Sequence, residues 1–364
     1  MTASRAPVRQ SSVRAHNLAL VLHTAANSAD RPSRAGIATL TGLTRATVSA
    51  LVDDLIAGGL LIEHDPAPRT GAGRPAAGLA LNADGPAALG LEINVDYLAA
   101  CVVDLTGSVR HRMVSHGDQR PVSAADSLRA LDALAAQARA AAEGEGLTLA
   151  GAALAVPGLV AADGLVRVAP NLGWQDVDVP ALLPGLADLP LIVDNEANLA
   201  ALASSDGERT FLYVSGEIGI GAGIVLDGEL YRGVRGWSGE IGHVTVFPDG
   251  RPCRCGSTGC LEQYAGQEHV VADAELAASA LGIALAAVVN LLDIGVIVLG
   301  GAYAPEFPRL RGGIEAELGR RVLTSGLAPI TLRAAVLGAD AAMRGAADAV
   351  IQAVRDDPAA WLSR

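Results

Sequence analysis

The sequence concentrates its cysteines in one short stretch. Residues 239–262 read GEIGHVTVFPDGRPCRCGSTGCLE, and this stretch holds three of the four cysteines in the chain. Such crowding is typical either of a disulfide knot or of a metal site. Three cysteines leave one thiol without a partner, and Cys253 and Cys255 lie too close along the chain for an ordinary disulfide. The pattern therefore favours a metal.

The donor atoms of this stretch fit one particular ion. His243 supplies one nitrogen, and Cys253, Cys255 and Cys260 supply three sulfurs, which together are the four ligands of a structural zinc site. The sequence therefore predicts one structural Zn²⁺ at these four residues. The remaining cysteine, Cys101, lies in the apolar segment LAACVVDL and is expected to be an ordinary core residue.

The composition limits the classes of protein to consider. The 364 residues suffice for two or three domains, and 51% hydrophobic but 3% aromatic residues mean cores of alanine, valine, leucine and isoleucine. There is no run of about 18 uncharged apolar residues that would predict a membrane span. The opening MTASRAPVRQSSVRAHN lacks the apolar core of a signal peptide. We therefore expect a cytoplasmic protein with reduced thiols and no membrane partner.

Charge is distributed unevenly along the chain. The net charge is −12, yet residues 1–82 hold eight arginines and five acidic residues, so the remaining chain carries −15. An acidic body argues against nucleic acid wrapped around it. A basic arm on such a body indicates a partner of its own, and DNA is the obvious polyanion.

The arm contains two helices joined by a short glycine turn. Residues 14–28 have helical periodicity, and Ser33 can cap a second, short helix. Gly42 can take the positive φ of a tight turn, and Thr44 can cap a third helix that ends near Ala57. Helix, short turn and helix are typical of the helix–turn–helix motif. A small helical pair with a glycine turn and no DNA-binding role is the alternative.

A β-hairpin follows the helices. The segments GLLIEH (59–64) and AGLALN (77–82) read as two strands, and the loop between them carries Arg69 and Arg74. The sequence therefore predicts a winged helix-turn-helix domain over residues 1–82. The residues expected to contact DNA are Thr44, Arg45, Thr47, Ser49 and Arg74.

The rest of the chain reads as two similar α/β units. Residues 88–114 alternate like strands and precede a long alanine-rich helix near 124–143, and residues 210–233 again read strand, glycine turn, strand. This repetition predicts two lobes around a cleft, with ligands at the carboxyl ends of the strands. We expect the first lobe over 83–200, the second with the metal loop over 201–339, and a C-terminal helix at about 340–364 that packs back on the first lobe.

At this level of detail the chain resembles a known family over nearly its whole length. GEIGHVTV with CRCGSTGCLE resembles the signature of the ROK family of repressors and sugar kinases, and VPGLV, APNLGW, VDNEAN, GIGAGIVLDGELYRG and VLGGA follow its order. TGLTRATVSALVDDLIAGGLL and GAGRPAAGLALN resemble the arm of its xylose-repressor and N-acetylglucosamine-repressor types. The resemblance implies a winged helix-turn-helix followed by an actin-like, ribonuclease H-like two-lobed α/β body with a sugar in the cleft.

The resemblance also implies which side chains meet the sugar. Carboxylates and amides form paired hydrogen bonds with vicinal hydroxyls. The alternatives are that the Asn-Glu pair only begins a helix and that the two later glutamates are solvated surface. The positions that match the hydroxyl-contacting residues of the family are Asn171, Asn195, Glu196, Glu240, His243 and Glu262.

Two departures separate this chain from the kinases of the family. Those enzymes carry aspartate where this chain has Glu196, and Asp-x-Gly-Gly-Thr where it reads EINVD over 92–96. The side chains of Asn94 and Val95 would block the close backbone approach that binds phosphate. We therefore expect no catalytic residues and no kinase activity.

The predicted function is a sugar-responsive repressor of carbohydrate-metabolism genes. Its expected partners are a double-stranded DNA operator, a monosaccharide effector and further copies of itself, as a homodimer or homotetramer. The alternatives are an ATP-dependent, glucokinase-like sugar kinase and an architectural DNA-binding protein without a ligand. The segment between Cys260 and Gly300 is shorter than is usual in the family, which predicts reduced helices in the second lobe.

Overall fold

The computed structural model describes residues 10–28, 30–64, 77–161, 163–216 and 219–364. The helices are α1 Gln10–Ala26, α2 Arg34–Thr41, α3 Arg45–Ala57, α4 Ala124–Gly144, α5 Val179–Leu182, α6 Glu196–Ala203, α7 Glu262–Ala265, α8 Gln267–Ala272, α9 Ala274–Leu292, α10 Tyr303–Arg321, α11 Ala341–Asp356 and α12 Pro358–Leu362. The strands are β1 Leu61–His64, β2 Gly78–Leu81, β3 Pro86–Ile93, β4 Tyr97–Asp104, β5 Val109–His116, β6 Thr148–Val156, β7 Leu159–Val160, β8 Leu165–Ala169, β9 Trp174–Asp178, β10 Leu191–Asn195, β11 Phe211–Gly216, β12 Ile220–Leu226, β13 Glu229–Leu230, β14 Val296–Gly301 and β15 Thr331–Ala334.

Local capping determines where the helices of the N-terminal arm begin and end. The side chain of Ser33 accepts a hydrogen bond from the N–H of Gly36 at the start of α2, and that of Thr44 accepts one from Thr47 at the start of α3. Gly42 ends α2 with φ 74°, a conformation that a side chain would strain. The two helices α2 and α3 that the sequence predicts on either side of a glycine turn are thus present with their caps.

The arm is completed by two short strands. β1 and β2 pair antiparallel, with Leu61 opposite Leu81 and His64 opposite Gly78. The loop that joins them, with Arg69 and Arg74, lies outside the described residues. The arm has apolar residues that are fully buried, among them Leu22, Ile37 and Leu55. They belong to the same hydrophobic core as part of the first lobe.

The positive charge predicted for the arm comes mostly from outside its described residues. The described part of residues 10–82 holds four arginines and four acidic residues, so the excess of +3 comes from residues 1–9 and 65–76. Two of the four arginines form ion pairs within the arm, Arg14 with Asp54 and Arg34 with Asp53. The described surface of the arm is therefore less basic than the count along the sequence indicates.

The first lobe is built on a five-stranded sheet with the order β10-β6-β3-β4-β5. β3, β4 and β5 are antiparallel neighbours, and β6 and β10 add parallel strands. Helix α4 buries Leu128 and Leu131 on one face of this sheet. Helix α11 covers the other face, where Met343 and Ala346 are buried. The C-terminal helix therefore packs on the first lobe.

The second lobe repeats this plan with the strand order β13-β12-β11-β14-β15. Helices α9 and α10 pack together on one face of the sheet, burying Leu281, Leu285 and Ile314. Helix α6 lies against the other face, because Gly223 of β12 leaves room for Ala201. Since α6 also contacts α11, it connects the two lobes behind the cleft.

The shortened segment after Cys260 still folds as helices. It forms α7 and α8, which are short, and then α9.

The sequence predicts no membrane span. Among the described residues, α9 is the one unbroken helix that is long and apolar enough to cross a membrane. Half of its most apolar window is buried, as expected of a core helix.

Candidate functional site

The main cavity lies between the two lobes and measures about 350 Å³. The first lobe contributes the ends of β3, β6 and β10, and the second contributes the start of β12 and the cysteine-rich loop. The sequence places ligands at these carboxyl ends of strands. All six residues matched to sugar contacts line this cavity, namely Asn171, Asn195, Glu196, Glu240, His243 and Glu262.

Asn195 and Glu196 lie at the junction of β10 and α6. The side-chain oxygen of Asn195 accepts hydrogen bonds from the N–H groups of Ala197 and Asn198, so this residue caps the helix. Its amide nitrogen donates to the carbonyl of Gly158 at 3.1 Å and to Glu196 at 3.0 Å. Asn195 therefore both caps α6 and lines the cavity, and the capping hydrogen bonds fix the direction of its amide.

A glycine leaves space for two polar side chains from different lobes. A Cβ atom on Gly219 would lie 3.2 Å from the amide nitrogen of Asn171 and 3.2 Å from a carboxylate oxygen of Glu262. These distances are tighter than most real Cβ contacts, so a side chain at Gly219 would displace one of the two groups. The glycine-rich start of β12 thus keeps an amide donor and a carboxylate acceptor open to a common ligand.

Glu240 and His243 form the wall of the cavity next to the cysteine-rich loop. Desolvation by the surrounding protein raises the pKa of the Glu240 carboxyl, and the Glu262 carboxylate adds to this rise, whereas His243 opposes it. A short 3-10 turn, Ile241–His243, fixes the spacing between the two side chains. The cavity therefore presents grouped carboxylates next to amides, a set of groups suited to hydroxyl donors.

The four predicted metal ligands converge on one point. One ligand atom from each of His243, Cys253, Cys255 and Cys260 lies within 4.8 Å of all the others. The Cys253 sulfur is 3.8 Å from Nδ1 of His243, and the Cys255 and Cys260 sulfurs are 3.7 Å apart. The edges of a tetrahedron with zinc–ligand bonds of about 2.0–2.3 Å are roughly 3.6–3.8 Å long, so the residues fit this ion.

The chemistry of the thiols also fits a cation. Burial raises the pKa of the Cys260 thiol to about 12, so a nearby cation is required for a thiolate at neutral pH. The amide of Gln263 lies 3.6 Å from the Cys253 sulfur and donates to it. The four cysteines are free thiols in the described chain, and Cys101 is fully buried in the first lobe.

The segment EINVD, residues 92–96, corresponds to the phosphate loop of the kinases and begins with a buried carboxylate. Glu92 is almost fully buried; it accepts a hydrogen bond from the hydroxyl of Tyr97 at 2.6 Å and from the N–H of Met343 at 3.1 Å. Asn94 and Val95 follow it and line the cavity. Asp96, the last residue of this segment, is exposed and is not among the lining residues. Asn94 and Val95 thus place side chains in the cavity wall at the two positions where the kinases of the family have glycines.

The residues expected to contact DNA lie together at the start of α3, except one. Arg45 is exposed and forms no ion pair within the described part of the chain. Thr44 is exposed as well, and its hydroxyl lies 2.8 Å from that of Thr47. Ser49, one turn further, is half-buried. Arg74 lies outside the described residues.

Sequence reasoning did not assign several residues of the cavity wall. Asn94, Ser215 and Arg254 line it, as does the metal ligand Cys255. Arg254 lies between two predicted metal ligands, and this position was the one available signal that its side chain lies near the cavity. Asn94, which the sequence analysis places only at the altered phosphate segment, directly follows β3, and Ser215 lies within β11, where the sequence shows no distinctive pattern.

The sequence comparisons agree on one family. Residues 88–277, more than half of the chain, match the model of the ROK family. A putative xylose repressor from Caldicellulosiruptor sp. (strain Rt8B.4) is 36% identical over 252 residues, which cover 66% of this chain and 61% of that protein. The chain therefore spans less than two thirds of the length of that relative.

Solved structures share the same fold. A ROK family transcriptional regulator, a homologue of the E. coli MLC protein, superimposes with a TM-score of 0.81 at 23% identity and covers 97% of this chain and 100% of its own. The ROK hexokinase from Thermus thermophilus superimposes with a TM-score of 0.61 at 31% identity and covers 74% of this chain and 99% of its own. The actin-like body is therefore common to a regulator and an enzyme, and the N-terminal arm is matched only in the regulator of these two.

Proposed function

The chain belongs to the ROK family, and on this premise we propose that it is a sugar-responsive transcriptional repressor of carbohydrate-metabolism genes. The observation that carries the proposal is the joint presence of a helical arm with a β-hairpin and a cleft lined by amides, carboxylates and an imidazole. Such an arm is suited to bind DNA and such a cleft to bind a monosaccharide. The xylose repressor among the relatives supports this combination.

In this proposal, residues 1–82 form a winged helix-turn-helix domain. Helix α3 enters the major groove, and Thr44, Arg45, Thr47 and Ser49 near its start face the bases. Arg74 in the wing contacts phosphates or the minor groove. A homodimer or homotetramer places two such helices on a palindromic operator.

The cleft binds the effector between a first lobe at 83–200 and a second lobe at 201–339, with residues 340–364 packed on the first. Its hydroxyls are bound by the side chains of Asn171, Asn195, Glu196, Glu240, His243 and Glu262. Lobe closure around the sugar changes the affinity for DNA, since a ligand shifts an equilibrium only by binding two states unequally. The protein acts in the cytoplasm and has no membrane partner.

A structural Zn²⁺ is held by His243, Cys253, Cys255 and Cys260. When bound, the ion supplies no chemistry beyond fixing its ligands in a closed tetrahedral site. The loop itself is braced by the N–H of Arg251, which donates to the hydroxyl of Tyr264 at 2.6 Å. His243 lines the cavity, where it contacts the sugar.

The experiment that tests the proposed function is a titration of operator binding against monosaccharides. The operator probe is a duplex selected from random DNA with the full-length protein, and the sugars are first screened by thermal shift with and without ATP. The expected change in DNA affinity is about 5–150-fold. A sugar that binds the cleft but leaves DNA affinity unchanged would show that the protein is not a sugar-operated switch.

No ATP-dependent phosphorylation of D-xylose or D-glucose is expected. Glu196 carries its carboxylate about 1.5 Å further from the backbone than aspartate would, enough to misplace a base. Asn94 and Val95 line the cavity at the strand end, where the glycines of the kinases would let phosphates approach the backbone. A coupled assay checks this, and turnover at the 1–100 s⁻¹ or so of ordinary kinases, abolished by Glu196→Gln, would contradict it.

Arg45→Ala is expected to weaken operator binding by about 5–150-fold and to reduce the preference for the operator over random DNA, since a contact between arginine and a base edge contributes about 1–3 kcal/mol. Electrophoretic mobility shifts at fixed salt measure both quantities. Arg129→Ala, which removes an exposed arginine of α4, is the matched control. Equal loss of affinity on operator and random DNA would assign Arg45 to phosphate instead of base contacts.

A further inference from the structure

The C-terminal helix α12 holds the end of helix α3 in the arm. The indole N–H of Trp361 donates to the carbonyl of Gly58 at 2.9 Å, across 303 positions of chain. Leu362 lies so close to Gly58 that a Cβ atom there would be 1.9 Å from its Cδ2. Gly58 is the residue that ends α3. The body thus grips the carboxyl end of the helix that is proposed to read DNA.

Further contacts fix α12 to the body. Asp357 caps α12 through the N–H of Ala360, which orients it relative to α11. Arg364 donates to the carbonyl of Ala150 in β6 at 2.9 Å, and its guanidinium lies 5.2 Å from the centre of the Trp361 ring. At the end of α11, Asp356 lies 2.8 Å from His23 of α1. The contact with His23 thus ties the arm to α11, and the contact of Arg364 with Ala150 ties α12 to the first sheet.

Helix α11 in turn contacts the elements that form the cleft. The N–H of Met343 donates to buried Glu92, and the next residues of that strand line the cavity. Gly345 lies against the carbonyl of Leu199 in α6, where a Cβ atom would be only 1.8 Å away. Since α6 begins at Glu196 in the cavity wall, α11 cannot keep its place if α6 or the end of β3 moves.

The arm is also attached to the body through the linker that follows β2. Asn82 donates from its backbone N–H to Leu60 and from its side chain to Gly59, and Gly85 packs against the same turn. Arg110 of β5 holds the same linker to the first lobe by donating to the carbonyl of Ala83 at 3.0 Å. A second cavity, of about 270 Å³, lies between α12 and the edge of the first sheet, with Pro190, Ile192 and Trp361 in its wall. Helix α12 therefore has room to shift relative to the body.

We propose that α12 couples the cleft to the arm and that Trp361 is a positioning residue for DNA binding. Trp361 fixes the orientation of α3 and hence the distance between the two recognition helices of a dimer. This inference rests on the proposed function and extends it. Half-sites lie about 34 Å apart, one turn of DNA, so a small rotation of α3 in each protomer changes which spacing fits. Trp361 contacts neither the DNA nor the sugar.

The test uses two variants of the full-length protein and one rescue. Trp361→Phe keeps an aromatic side chain but removes the N–H donor together with the five-membered ring of the indole. Gly58→Ala places a methyl group against Leu362, at a φ of −83° that alanine adopts without strain. Leu362→Ala in the Gly58→Ala background restores the space. Trp237→Phe, at a partly exposed tryptophan of the second lobe, is the matched control.

Two readouts separate positioning from simple stability. Duplexes with two selected half-sites at varied spacing are titrated, and amide hydrogen exchange is followed at residues 55–60. We expect the parent to favour one spacing by about tenfold or more, and Trp361→Phe and Gly58→Ala to reduce this preference to below about threefold and to speed exchange at 55–60. The Gly58→Ala/Leu362→Ala double variant is expected to recover the spacing preference. All variants are expected to keep the zinc content of the parent and, where the parent binds D-xylose or D-glucose, its affinity for that sugar.

The outcomes distinguish this inference from the proposed function. If the parent prefers one half-site spacing and both variants prefer it equally, the proposed role of α12 is overturned, but the proposed repressor function is not. Unchanged exchange at residues 55–60 in Trp361→Phe would overturn the role of α12 as well, whatever the DNA results. A parent that selects no duplex would contradict the proposed repressor function. Amide hydrogen exchange at residues 55–60 would then still show whether α12 stabilises the end of α3.

Discussion

Cys255→Ser is expected to reduce the metal content of the protein from one zinc per chain to nearly none. Its sulfur is 3.7 Å from that of Cys260 and completes the tetrahedral set, and a hydroxyl is a poor substitute for a thiolate ligand. Structural zinc contributes about 10–16 kcal/mol in zinc-finger peptides, comparable with the whole stability of a domain, about 5–15 kcal/mol. We therefore expect the midpoint of thermal unfolding to fall by more than about 10 °C.

Metal analysis of protein purified without chelator and a thermal unfolding curve check this result. Cys101→Ala is the matched control, because this buried cysteine lies in the first lobe, where its sulfur donates to the carbonyl of Met343. The control is expected to keep its zinc. Parent protein without zinc, or Cys255→Ser with a full zinc content, would show that the four residues do not form the site.

Glu262→Ala is expected to weaken sugar binding by about 10–150-fold. A hydrogen bond to a charged group contributes about 1.5–3 kcal/mol, and the carboxylate of Glu262 and the amide of Asn171 both lie in front of Gly219 in the cavity. Because Glu262 lies two residues after Cys260, it is also held in place by the cysteine-rich loop. Cys255→Ser should therefore weaken sugar binding too, although Cys255 itself contributes no hydroxyl contact in our proposal.

Isothermal titration with the sugar found by thermal shift measures the effect of Glu262→Ala. Glu268→Ala, at an exposed glutamate of α8, is the matched control and is expected to bind as the parent does. The zinc content of both variants is measured alongside, because loss of metal would mimic loss of a contact. Parent-like affinity in Glu262→Ala with full zinc content would remove Glu262 from the sugar site.

Local rules along the sequence account for much of the fold. Ser33, Gly42 and Thr44 act on residues two to four positions away, so the ends of α2 and α3 follow from the sequence and are found where it predicts them. The spacing of the metal ligands is equally local, since three of the four lie within residues 253–260. The six residues assigned to the sugar by resemblance also line one cavity, although their individual roles remain predictions.

The charge count of the arm does not show which of its arginines are free to contact DNA. Arg14 and Arg34 are paired with acidic neighbours, and the excess of +3 belongs to residues outside the described part of the arm. A charge count along the chain cannot show such pairing, because the partners of Arg14 and Arg34 lie 40 and 19 positions away. Arg45 alone among these three remains exposed and unpaired within the described residues.

Only the tertiary structure decided how the arm, the cleft and the C-terminal helices are connected. Trp361 and Gly58, or Glu92 and Met343, belong to segments more than 200 positions apart, and nothing in the local pattern of either segment indicates the other. Caps, turns and metal-ligand spacings are short-range and therefore legible in the sequence. Contacts between distant segments depend on how whole helices and sheets pack, because close packing of their faces selects which backbone groups meet.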